Sequence, residues 1–92
     1  MREKIIVICK YEKWCVNWFN MLLRYLAYNV YAENKDAMKI NKRHRCVCLP
    51  NKEIWFVSEV MANNKIRTIR DGHDPKIIYW EGHDVNELWN KI

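Results

Sequence analysis

Apolar and polar positions change rhythm several times along this chain. Residues 4–9, KIIVIC, form an unbroken, largely β-branched run, the pattern of a strand buried on both faces and therefore central in its sheet. The spacing then becomes helical. Cys15, Trp18, Leu22, Tyr25, Leu26 and Asn29 step by three and four, and Phe19 and Leu23 widen the stripe. Lys13, Asn17, Asn20 and Arg24 step along the other side. This predicts an amphipathic helix over residues 11–32, with Tyr28 and Tyr31 near the polar side of its C-terminal end.

The second half reads as shorter elements. Residues 35–45, KDAMKINKRHR, are polar and basic and read as a loop. RCVCL (45–49) and EIWFVS (53–58) flank PNK, whose Pro and Asn favour turn dihedrals, so an antiparallel hairpin is expected. Residues 59–70 are ambiguous, Asn63-Asn64 marking either a turn or the end of a short helix. KIIYW (76–80) is a further strand begun by Pro75. A terminal helix over 84–91 has Asp84 as its N-cap and Glu87 at the capping-box spacing.

These elements predict an α/β or α+β fold. It has a small four-stranded mixed sheet (residues 4–9, 45–49, 53–58 and 76–80), with the two helices covering at least one face. The first and last strands, apolar throughout, suit a parallel pair crossed over by the first helix. At 92 residues the chain is a single domain, 1–92. Half of its residues are hydrophobic, with five Trp and five Tyr, which compensates for the limited core of so small a domain. Only two Gly and two Pro argue against a disordered chain. The N-terminus lacks a secretory pattern, and Asn17, Asn20, Arg24 and Asn29 interrupt the one apolar-rich stretch. A cytoplasmic protein with reduced thiols and no membrane contact is expected.

The formal charge of +5 suits an anionic partner, and it also simply favours solubility. Lys39, Lys42, Arg43, His44 and Arg45 form one basic cluster, and Lys65, Arg67 and Arg70 a second. Such residues make phosphate contacts or face solvent. Trp55 and Phe56 are consecutive and cannot both face one core, so one of them is a candidate exposed platform. The aromatic excess suggests an interface, with Arg24, Tyr28, Tyr31 and Trp55 as its candidates and a homodimer as its economical form.

Gly-His-Asp occurs twice, ten residues apart, which raises His73, Asp74, His83 and Asp84 as metal ligands. The strand between the copies spans about 17–20 Å, so the two pairs cannot share an ion. Turn, strand end and helix cap explain the repeat better, and leave open only why each copy carries a histidine. Cys46 and Cys48 share a strand face, but C-x-C falls short of the usual zinc spacing. With Cys9 and Cys15 they read as core residues. No catalytic residue, metal or cofactor is expected, and no enzymatic activity.

The strand, the helix, then RCVCLPNKEIWFVS and KIIYWEGHD resemble, loosely, the nucleotide-binding core of phage terminases and related P-loop ATPases. The phosphate loop is missing: CKYEKW stands where GxxxxGK[ST] would be, and Trp80-Glu81 where the family has Asp-Glu. The resemblance implies a degenerate, non-hydrolysing relic. In style the chain is also similar to small phage-encoded anti-defence proteins. The functional expectation is a small non-enzymatic binding protein, phage-encoded. It would block a nucleic-acid-handling partner such as a host defence nuclease of the CRISPR type, with residues 39–45 as the contact arm. The alternatives are direct binding of single- or double-stranded nucleic acid and, more weakly, a metal-dependent nuclease.

Overall fold

The computed structural model describes residues 2–70, 72 and 74–92. Strand β1 (Glu3–Cys9) passes through only Lys10 and Tyr11 into helix α1 (Glu12–Tyr25), which continues as a π-helical turn over Leu26–Val30. A 3-10 turn (Lys35–Ala37) leads to β2 (Lys39–Asn41), β3 (Cys46–Cys48) and β4 (Lys52–Ser58). A second 3-10 turn (Glu59–Met61) opens α2 (Ala62–Ile69), and β5 (Lys76–Tyr79) and α3 (Val85–Lys91) follow.

The strands form one mixed sheet in the order β2-β3-β4-β1-β5. β1 runs parallel to both β4 and β5, and β2, β3 and β4 are successively antiparallel. The uninterrupted apolar run of β1 is thus explained by burial on both faces. Ile5, Val7 and Cys9 join Ile54, Phe56 and Ile78 beneath α1 and α3, against Phe19, Leu22, Leu26 and Leu88. Ile6 and Ile8 point the other way, with Val57, onto Ala62 and Ile69 of α2.

The fold is α+β, with five strands and three helices where four and two were expected. The extra strand, Lys39–Asn41, has three exposed residues and no apolar alternation. It is a strand because it pairs with β3, Ile40 opposite Val47. The ambiguous stretch is a helix: Ala62, Ile66 and Ile69, spaced by four and three, pack on the sheet, while Asn63 and Asn64 are exposed. The first and last strands are indeed parallel neighbours, but α1 connects β1 to β4, and α2 makes the connection to β5. β5 is an edge strand, buried at Ile78 only, with Ile77 41% and Tyr79 73% exposed. Among the described residues no helix is long and apolar enough to cross a membrane.

The second Gly-His-Asp is local structure. The Asp84 carboxylate caps α3, accepting from the Asn86 amide at 2.9 Å. Gly82 lies against the buried Trp80 ring, where a Cβ would fall 2.5 Å from the indole. In the first copy Gly72 adopts φ +78°, and His73 lies outside the described residues.

All four cysteines are free, and Cys48 is the one not fully buried. The Cys9 thiol hydrogen-bonds Cys15, which with burial holds Cys9 well above its ordinary range and draws Cys15 down. Burial, reinforced by Cys48 and Glu53, pushes the Cys46 thiol up. Ellman's reagent is therefore expected to titrate one thiol rapidly in the folded protein, Cys48, and all four after denaturation. Rapid reaction of a second native thiol, or of Cys9 in a Cys48→Ser variant, would contradict this packing.

Candidate functional site

Open α/β sheets bind ligands where the connections from two adjacent parallel strands leave for opposite faces. Here that point lies between β1, which feeds α1, and β4, which feeds α2. It is filled. Cys9 and Ser58 are its last strand pair, Cys15 packs above them, and each is at most 4% exposed. Arg45 closes the rim: it donates to Glu12 Oε1 at 2.6 Å and, through Nε, to the Phe56 carbonyl at 3.3 Å. Its φ of 50° is held by its own carbonyl accepting from the Phe56 amide at 2.9 Å. Arg45 is thus a clamp between hairpin and helix rather than a free contact cation. The two-residue link from β1 to α1 also leaves no loop to wrap a phosphate.

Open space lies instead along the outer face of α1. Trp14, Met21 and Tyr28, seven residues apart, are 39%, 39% and 72% exposed. Three adjoining hollows flank them. The first, about 270 Å³, runs between Trp14, Asn17, Trp18 and Met21 and the Glu81–His83 segment. The second, about 490 Å³, shares Met21 and continues past Arg24 and Tyr25 to Tyr28, beside Val85. The third, about 330 Å³, shares Arg24 and Tyr28 and is walled by Lys35, Met38, Ile40 and Lys42 from the segment leading into the hairpin. A groove therefore follows α1 for about 21 Å. It is apolar in the middle, has Glu81 and His83 at one end and three cations at the other.

The π-turn shapes the basic end. Its wide i→i+5 bond, Tyr31 N to Leu26 O at 2.7 Å, shifts the phase that three-and-four spacing would continue. Tyr28 stays on the surface, with the Lys35 ammonium 5.5 Å from its ring centroid. Tyr31, expected beside it, is half-buried against the core. The groove thus joins Arg24 and Tyr28, expected together at an interface, to Lys42 of the first basic cluster, and adds Lys35, Trp14, Trp18 and Met21. The seven-residue repeat of Trp14, Met21 and Tyr28 was the signal for the helix face; nothing in the sequence marked Lys35.

The other candidates lie elsewhere. Lys39, Arg43 and His44 are exposed on the hairpin, outside the groove lining. Lys65, Arg67 and Arg70 belong to α2 and its C-terminal end, on the opposite face of the sheet, and Arg70 pairs with Asp74 at 2.7 Å. The two basic clusters do not merge into one patch. Phe56 is the core residue of its pair; Trp55 is half-buried on the α2 side, its Nε1 donating to Glu53 at 2.6 Å. Among the described residues no three His, Cys, Asp or Glu side chains converge as metal ligands. Comparison with known protein families, curated proteins and solved structures finds no match to this chain.

Proposed function

We propose that this is a non-enzymatic binding protein that blocks a protein partner of a nucleic-acid-handling complex, such as a host defence nuclease, by laying the α1 groove against it. The observation that carries this reading is the exposed repeat of Trp14, Met21 and Tyr28 along one helix. Large apolar side chains exposed on a shared helical face are the anchors by which helices and grooves recognise each other. Trp, Met and Arg are also the residue types enriched in such contacts. The cations at one end suit a partner surface that itself deals with phosphates. Phage origin and the lost phosphate loop remain part of the same reading: a nucleotide-binding relic retained as a blocker.

The test is a photocrosslinking residue at Met21, in host cells expressing the chain, with the same residue at the exposed Val60 as control. The expected result is one protein of a nucleic-acid-processing complex captured from Met21 and not from Val60. Capture should fall at least about tenfold in Trp14→Asp, as for loss of a central aromatic anchor, with an unchanged circular dichroism spectrum. A crosslink only to a second copy of this chain, capture that ignores Trp14, or a partner unconnected with nucleic acid would refute the proposal.

A further inference from the structure

We infer that the basic end of the groove is a subsite for one base of a single-stranded nucleic acid, stacked at Tyr28, with its flanking phosphates held by Arg24, Lys35 and Lys42. Three cations ring an apolar floor that includes Met38 and Ile40, and no carboxylate lines the cleft among the described residues. An anion is therefore favoured and an acidic neighbour does not oppose it. Volume and lining match a planar apolar body: the hollow of about 330 Å³ is at the lower end of small-ligand sites. One part of the Tyr28 ring carries the Lys35 ammonium, and the residue still keeps 72% of its surface in solvent. An exposed aromatic in a cleft lined by cations is the arrangement that binds single strands without reading sequence. The π-turn keeps Tyr28 outward while bringing the chain round to place Lys35 against it, the kind of local helix defect found at binding sites.

Strand binding here needs no protein partner, so it stands or falls apart from the partner reading. The probe is a short fluorescent oligothymidylate titrated with the purified full chain at several salt concentrations. Binding should weaken with salt at a logarithmic slope near about −2, from roughly 0.7 per phosphate on three cations. Lys35→Ala and Lys42→Ala should each flatten it by about 0.7. Lys13→Ala and Lys65→Ala, cations outside the cleft, should leave it unchanged. Tyr28→Ala should weaken binding about tenfold, and Tyr28→Phe should restore it. No binding at low salt, equal affinity for a blunt duplex whose base faces are hidden, or competition by inorganic pyrophosphate as strong as by unlabelled strand would each overturn the subsite. So would a slope that follows Lys65 rather than Lys42.

Discussion

Replacing Phe56 by alanine is expected to remove about 3–5 kcal/mol of stability, the usual cost of deleting a buried phenyl ring and leaving its cavity. Phe56 is fully buried on the α1 side of β4, its ring 5.7 Å from that of Phe19. It lies on β4 between β1 and β3, so its loss opens a cavity inside a close-packed layer. A domain of this size has a total stability of order 5–15 kcal/mol, so the variant should unfold at a markedly lower denaturant concentration. Trp55→Ala is the matched control. Trp55 is larger but only half-buried, on the opposite face, and its indole nitrogen donates to the half-buried Glu53 carboxylate. Its removal should cost clearly less than that of Phe56. Urea titration of the two variants measures the difference, and a greater loss for Trp55→Ala would mean that the two faces of β4 are exchanged.

That pair also shows how far the sequence could be read. Alternation alone required Trp55 and Phe56 to face opposite ways, but it could not say which way the larger helix lay. The unbroken run of β1 was legible as a doubly covered strand, because only burial on two faces tolerates five consecutive apolar residues. The hairpin was legible from its turn, and α3 from Asp84. β2 was not, because Lys39, Ile40 and Asn41 owe their extended form to pairing with β3 and carry no pattern of their own. The short α2 was obscured by Asn63-Asn64, although Ala62, Ile66 and Ile69 already had helical spacing. The groove was half legible. Its helix face repeats every seven residues, whereas Lys35 and Lys42 share a hollow with Tyr28 across a π-turn, a change of phase that periodicity does not announce.

Substituting Gly82 by alanine is expected to destabilise the protein by about 1–3 kcal/mol, the range for forcing an extra methyl into a packed site. The new Cβ would lie 2.5 and 2.6 Å from two indole carbons of Trp80, and the ring has nowhere to go. Trp80 is 2% exposed, meets Trp18 edge-on at 5.4 Å and carries the Lys91 ammonium 5.3 Å from its ring. Its Nε1 lacks a hydrogen-bond partner among the described residues, so packing rather than a polar contact holds the ring in place. Gly72→Ala separates the two uses of glycine in the repeated Gly-His-Asp. Gly72 has free space around its Cα but a φ of +78°, so alanine there meets backbone strain of about 1–2 kcal/mol and no clash. The two variants differ in where the damage appears. Gly82→Ala should perturb Trp80 and Trp18, and with them the wall of the α1 groove formed by Trp18, Glu81 and His83. Gly72→Ala should lower the unfolding midpoint and leave tryptophan fluorescence unchanged. If Gly82→Ala leaves both the midpoint and the fluorescence as they were, the indole is not packed against residue 82. The groove's acidic end would then be built on something other than this contact.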